Sequence, residues 1–316
     1  MNTLESIVKE IKNAESIVIL THHDPDGDAI GSSLAMYNGL KQLGIDADVI
    51  IPEFSRTYEF LPGANDIKKE SNKNYDLAIA LDCGDIKRLN GFSNYFEDAN
   101  SRISIDHHGI NTMFADLNFV NPMAPACCQI LITVLETLGV EIDKKIGTCL
   151  LTGIITDTGG FKYSGVTAET FEFTAELLSK GVNVSDTYKK VLQTQSRAKF
   201  ELSKKAMERL EFFENGKISF TYINLEDEKQ VNASNGDHEG IVEMGRDIEG
   251  VEIAVFLREV EDGYKISLRS NDYVNVSDIC LMFNGGGHIR AAGGFLANSF
   301  DEAKEKVIEE CKKHLK

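Results

Sequence analysis

Four short apolar runs in this chain end in acids or histidines. Residues 17–20 lead into Thr21-His22-His23-Asp24-Pro25-Asp26-Gly27-Asp28, and residues 77–81 into Asp82-Cys83-Gly84-Asp85. Residues 103–105 end in Asp106-His107-His108-Gly109, and residues 150–155 in Thr156-Asp157-Thr158-Gly159-Gly160. Ligand sites of open α/β sheets gather at the carboxyl ends of the strands, so three runs of this kind bring their side chains to one edge. The fourth joins them if its helix points the same way. Carboxylates packed so closely repel, and each drives its neighbours' pKa upward. Bound divalent cations relieve that repulsion, and Asp/His/Asp sets are ordinary ligands for Mn2+, Mg2+ or Zn2+. Two ions roughly 3.5–4 Å apart can share one carboxylate and activate a water between them, chemistry suited to phosphate esters.

Each segment has a plainer reading when taken singly. Asp26-Gly27-Asp28 alone reads as a turn with helix-capping carboxylates, and Asp82-Cys83-Gly84 as a strand-ending turn. His107 and His108 are adjacent, and neighbours on a strand point in opposite directions. The coincidence of all four segments carries the metal reading. His238 and His314 read as exposed surface residues, and His23 is left open.

The elements that must position these groups form an α/β pattern. Residues 1–190 alternate helical and strand-like stretches, which predicts a mainly parallel sheet. Helices are expected over residues 4–11, 29–43 (stopping at Gly44), 125–138 (Pro at the start, Gly139 at the end) and 146–155, with one more capped by Thr167 and ending near Gly181. A strand is expected at residues 48–51. Residues 184–213 read as a helical connection, with a linker at 191–215 and a smaller α/β domain at 216–316. That second domain carries expected strands at 218–223, 251–260 and 264–269, helices at 239–248 and 301–314, and the run Gly285-Gly286-Gly287.

A chain of 316 residues suits two domains. With 33 basic and 50 acidic residues its formal charge is −17, which repels a long phosphate backbone and argues against long nucleic acid as the main ligand. No apolar run approaches the roughly 18 residues that suggest a membrane span. Residues 1–12 do not read as a secretory signal. The six cysteines contain no C-x-x-C pair, so reduced buried thiols in a cytoplasmic protein are expected.

These segments resemble the DHH phosphoesterase family, named for a triplet such as Asp106-His107-His108. H-x-x-P-D-G-D-A-x-G-S at residues 22–32, D-C-G-D, D-H-H and T-D-T-G-x-F at residues 156–161 follow in the family's order. The second domain resembles the DHHA1 type through Ser267-Leu268-Arg269-Ser270 and Gly285-Gly286-Gly287-His288, followed by Ala291-Ala292-Gly293. Within the family, the short two-domain chain is most similar to bifunctional oligoribonuclease/pAp phosphatases, where pAp is adenosine 3′,5′-bisphosphate. The resemblance implies an N-terminal parallel-sheet domain and a smaller C-terminal α/β domain with an interdomain cleft. It implies two divalent ions, Mn2+ first and Mg2+ as the alternative. One would be held by His22, Asp26 and Asp82, the other by Asp28, Asp82, His107 and Asp157, with Asp82 bridging. His108 would serve the scissile phosphate as hydrogen-bond donor or general acid. Arg269, Ser270, Gly285, Gly286, Gly287 and His288 would hold the nucleotide. Short RNA or DNA oligonucleotides or pAp would be the substrates, no membrane would be engaged, and a homodimer is compatible with the resemblance. The family commonly has a fourth glycine where this chain has Asn284. Asn tolerates positive φ, so the loop is expected to survive.

Rival readings remain open at this level. Inorganic pyrophosphatases of the second family share the first domain but pair it with a different, lysine/arginine-rich one. Some phosphodiesterases of cyclic dinucleotides use the same two domains, and cutting linear pApA is open to this chain as well. A RecJ-like exonuclease usually needs extra domains and a basic groove. A catalytically silent nucleotide-binding regulator would not need so many acids in one place.

Overall fold

The computed structural model describes residues 3–234 and 236–316. The chain divides into two compact units, Met1–Thr194 and Gln195–Lys316.

The first unit follows the order α1 (Leu4–Asn13), β1 (Ser16–Leu20), α2 (Gly27–Gln42), β2 (Asp46–Val49), β3 (Leu77–Leu81), α3 (Ser93–Glu97), β4 (Ser101–Asp106), β5 (Leu117–Val120), α4 (Cys127–Leu138), α5 (Lys144–Asp157), α6 (Ala168–Ser179) and α7 (Val184–Tyr188). The five strands are all parallel in the order β2-β1-β3-β4-β5. The strand order reverses between β1 and β3, which is where such sheets open a crevice at their carboxyl ends.

Alternation along the strands splits the core between two faces. Ile17, Ile19, Ile79, Ile103 and Ile105 pack with apolar residues of α1, α2, α4 and α5. Val18, Leu20, Ala78 and Ala80 pack instead with Tyr75, Leu89 and Phe96. Both faces are covered, which explains why the strands read as unbroken apolar runs. Two glycines let α2 and α5 approach closely. A methyl group on Gly31 would lie 2.6 Å from the Cys149 carbonyl oxygen, and one on Gly153 would overlap Asp28 Oδ1 and Cys128 Sγ.

The second unit contains α8 (Arg197–Glu208), β6 (Glu211–Phe213), β7 (Ile218–Ile223), α9 (Leu225–Gln230), α10 (Ile241–Arg246), β8 (Ile253–Val260), β9 (Gly263–Ser270), α11 (Val276–Leu281), β10 (Gly286–His288), β11 (Ala291–Leu296) and α12 (Phe300–Lys313). Its sheet runs β10-β11-β9-β8-β7-β6, antiparallel except for the parallel pair β7 and β8. One face packs on α11 and α12 through Ile279, Cys280, Val307 and Cys311. The other packs on α8 and α10 through Leu202, Ala206, Ile241 and Val242.

Several expectations need correction. Residues 184–213 are not one helical connection: a π-helical turn, Lys189–Gln193, and the strand β6 interrupt it. The second strand lies two residues earlier than expected, at Asp46–Val49, and Ile50 only bridges to Lys68. His238 and His314 are half-buried, and His314 sits 3.5 Å from Glu310 on the same helix. Asn284 adopts φ 55, the conformation expected of it.

Asp227 anchors α8 to α9. It accepts from Lys205 Nζ at 3.0 Å, from the Arg209 guanidinium, and from the backbone N–H of Asn224 at 2.9 Å. Burial alone would raise this carboxyl, but the Arg209 pairing and the other donors hold it at about 2, below its ordinary 3.8. A depressed folded pKa contributes stability above the unfolded value, and that contribution is lost as pH falls from 3.8 toward 2. Asp227→Asn is therefore expected to cost roughly 1–2 kcal/mol at neutral pH after allowance for solvent screening. It should also flatten the acid side of the stability curve, measured by denaturant melts across pH; an unchanged acid limb would contradict it.

Candidate metal centre

The first segment follows β1 directly. Asp26 is the N-cap of α2, its side chain accepting from the backbone N–H of Asp28 and Ala29 at 3.0 and 3.1 Å. The capping reading of Asp26 is thus correct, and the cap also holds its carboxylate beside the other acids. Asp28, fully buried in the first turn of α2, accepts from the backbone N–H groups of Cys127 at 2.5 Å and Cys128 at 2.9 Å. These are the first amides of α4, whose positive end favours an anion. Even so, burial and the nearby charge of Asp82 push the Asp28 carboxyl up to about 7.

Asp82 follows β3 with φ 52 and is 2 % exposed. It lies 3.7 Å from His22 Nε2 through one carboxylate oxygen and 3.4 Å from His107 Nε2 through the other. Burial would raise its carboxyl, but the contacts with His107 and His22 hold it well below the ordinary range. His107, at the end of β4, has Nδ1 3.2 Å from the Ala124 carbonyl oxygen. A donating Nδ1 turns the Nε2 lone pair toward the acids, the arrangement common among metal-ligating histidines. That nitrogen lies 3.1 Å from Asp157 Oδ2 and 3.9 Å from Asp28 Oδ2. Asp157 is the last residue of α5 rather than part of the turn beyond it. Burial and the charges of Asp28 and Asp26 push its carboxyl well above the ordinary range.

The candidate ligand atoms of His22, Asp26 and Asp82 lie within 4.8 Å of one another, as do those of Asp28, Asp82 and His107. Asp82 belongs to both sets. Its Oδ1 is buried with no hydrogen-bond partner among the described residues, as is Nδ1 of His22. A buried charged oxygen without a donor is costly, and a cation is the ligand that would satisfy it. Burial and mutual repulsion raise the Asp28 and Asp157 carboxyls, as expected of acids packed without enough counter-charge. On both counts the donor set fits divalent ions.

His108 is placed differently from His107. Its Nδ1 is 2.7 Å from Asp106 Oδ1 and 3.6 Å from Asp82 Oδ1. Asp106 is fully buried, and its second oxygen accepts from Asn111 Nδ2 at 2.7 Å. Burial would raise the Asp106 carboxyl, but the bond to His108 keeps it below its ordinary value. Sequence reasoning gave neither Asp106 nor Asn111 a task. The signal for Asp106 was its place in the triplet; that for Asn111 was only an Asn in a turn. His23 remains outside the cluster, its Nε2 3.1 Å from Asp24.

In the second unit, Arg269 Nε donates to Glu243 Oε1 at 2.8 Å and Nη1 donates to the Leu268 carbonyl at 3.1 Å. Glu243 comes from α10, and nothing in the sequence pairs it with Arg269. Ser270 is buried and donates its hydroxyl to the Val274 carbonyl at 2.6 Å. Gly286, Gly287 and His288 form β10, and a methyl group on Gly285 would overlap the Gly293 carbonyl oxygen. His288 pairs with Ala291, which pairs with Arg269 across the next strand. Directly paired residues share a sheet face, so His288 and Arg269 lie on one face, roughly 10 Å apart across two strand spacings.

Comparison with known proteins agrees with this architecture. The family model described as "DHH family, N-terminal domain" matches residues 16–154, and the "DHHA1 domain" model matches residues 215–316. The chain is 35% identical over 320 residues to the bifunctional oligoribonuclease and PAP phosphatase NrnA of Thermus thermophilus, covering 100% of this chain and 94% of that protein. It is 26% identical to the probable bifunctional oligoribonuclease and PAP phosphatase NrnA of Streptococcus mutans, with 100% of both chains covered. Among solved structures, an exopolyphosphatase-related protein from Bacteroides fragilis aligns with a TM-score of 0.90 and 30% identity, covering 98% of this chain and 95% of that one. With both domains matched in order and full-length relatives at this identity, the chain belongs to the DHH family, carrying an N-terminal DHH domain and a C-terminal DHHA1 domain.

Proposed function

We propose that this chain is a metal-dependent phosphoesterase that hydrolyses short oligonucleotides to mononucleotides and removes the 3′-phosphate of pAp. The observation that carries the reading is the buried Asp82 carboxylate, which belongs to both sets of candidate ligands and whose Oδ1 makes no hydrogen bond among the described residues. The names of the Thermus and Streptococcus relatives support the substrate class.

His22, Asp26 and Asp82 would hold one ion, and Asp28, Asp82, His107 and Asp157 the other; imidazole beside carboxylate suits Mn2+, with Mg2+ as the alternative. Bound there, divalent ions supply Lewis-acid activation of water and neutralise charge on the phosphoryl oxygens. The chain's own residues supply the rest. Water oxygen forms the new P–O bond and gives up a proton to solvent, the ester P–O bond breaks, and the leaving oxygen takes a proton from His108 Nε2, the nitrogen not engaged by Asp106, which solvent then restores. Arg269 offers its guanidinium to a substrate phosphate, with Nε committed to Glu243 and one Nη1 hydrogen to the Leu268 carbonyl, so that Nη2 and the second Nη1 hydrogen remain. The backbone around Gly285, Gly286 and Gly287 and the imidazole of His288 complete the nucleotide grip, with Ser270 bracing the turn behind it.

No helix among the described residues is long and apolar enough to cross a membrane, and all six cysteines are free and buried. Both fit a cytoplasmic enzyme. A homodimer is the assembly to test by light scattering.

The test is an activity panel with purified protein and Mn2+: pAp, pApA, an RNA pentamer, a long single strand, pyrophosphate and cyclic di-AMP. The pentamer and pAp should be cleaved. Arg269→Ala should raise KM about 10–100-fold, the loss of a charge-assisted hydrogen bond. Cleavage of pyrophosphate alone would overturn the second-domain assignment, and tight nucleotide binding without product release would favour the silent regulator.

A further inference from the structure

Asp106 is fully buried and makes two short contacts, with His108 Nδ1 and with Asn111 Nδ2, each 2.7 Å. Asn111 is itself tied down on both sides. Its Oδ1 accepts from the backbone N–H of Met113 at 2.7 Å, and its Nδ2 also reaches the Cys83 carbonyl at 3.3 Å, next to Asp82. The neighbouring Thr112 N–H donates to the Gly84 carbonyl at 2.9 Å. One amide therefore links the loop after β4, the loop after β3 and the carboxylate behind His108.

We infer that Asn111 is a positioning residue: it clamps Asp106 so that Asp106 holds His108 with Nε2 turned to the leaving group. The inference rests on the proposed role of His108 as proton donor. Without the Asn111 N–H, the second Asp106 oxygen is a buried charged acceptor lacking its donor, and the carboxylate has reason to rotate toward another. Rotation would break the fixed line from Asp106 to the imidazole, and a displaced imidazole loses proton transfer before it loses binding.

The experiment is a double-mutant cycle on Asn111→Leu and His108→Ala, read with two substrates. An RNA pentamer needs its leaving oxygen protonated, whereas a p-nitrophenyl phosphodiester releases a stable anion. Asn111→Leu is expected to lower kcat on the pentamer about 10–100-fold with KM little changed, the usual size for a partner behind an active group. The p-nitrophenyl ester should be spared, and Asn111→Leu should add no further loss in the His108→Ala background. Equal loss on both substrates by Asn111→Leu, or additive loss in the double variant, would overturn the inference while leaving His108 as donor. If His108→Ala itself slows both substrates equally, the donor role falls and the inference with it. Should Asn111→Leu fail to fold, judged by its thermal melt, Asn111→Ala takes its place in the same cycle, where sparing of the p-nitrophenyl ester supports the inference and equal loss on both substrates overturns it.

Discussion

Asp82→Asn is expected to lose turnover of short oligonucleotides by about three orders of magnitude or more, because the stabilisation it removes amounts to several kcal/mol and each 1.36 kcal/mol is tenfold in rate. The substitution keeps shape and one oxygen but removes the charge common to both candidate ligand sets. Its backbone cost should be small, since Asp82 sits at φ 52 and Asn is at ease in that region. The loss should therefore appear in kcat and in bound Mn2+ counted by elemental analysis, with the melting temperature of the chelated protein preserved. Wild-type turnover in the variant would remove Asp82 from the chemistry.

Withdrawing metal should lower the melting temperature of the first unit. In the metal-free cluster, burial and mutual charge push Asp28 and Asp157 upward, so protons or strain stand where cations would sit. A ligand at about 100 times its Kd stabilises by about 2.7 kcal/mol per site. For a unit of this size each kcal/mol moves the melting temperature by about 2–4 °C, which gives roughly 5–10 °C per site between chelator and saturating Mn2+. Scanning calorimetry with and without chelator measures it, and Asp82→Asn should respond far less. A melt indifferent to chelator in the wild type would exclude a metal centre that stabilises the fold.

Much of this was legible in residue types. The unbroken run Leu77-Ala-Ile-Ala-Leu81 marks a strand buried on both faces, and Thr167 caps α6 through a capping box with Thr170. The acids and histidines of the cluster were readable because their chemistry is written in side chains and their strand-end position follows from the pattern. Elements that depend on partners were harder to read. The strand β5 has four residues and β6 three, while α9 and α11 have six each; such lengths carry too little periodicity to stand out, although α10, equally short, falls within the helix expected at 239–248. Contacts between distant segments left no trace either. The grip of the Cys127 and Cys128 amides on Asp28 spans about a hundred residues of sequence, and Glu243 meets Arg269 only because α10 packs near β9.

The crossing of α2 and α5 at Gly31 and Gly153 bears on how this protein can change over generations. Asp28 stands in the first turn of one helix and Asp157 at the end of the other. A side chain added at either glycine would have to part the helices that carry these acids, so a mutation that replaces no candidate ligand residue would still act on the reaction. Gly31→Ala and Gly153→Ala are thus expected to be costly. Latitude for change lies instead on side chains outside this crossing, close-packed glycines such as Gly285 and Gly287 excepted.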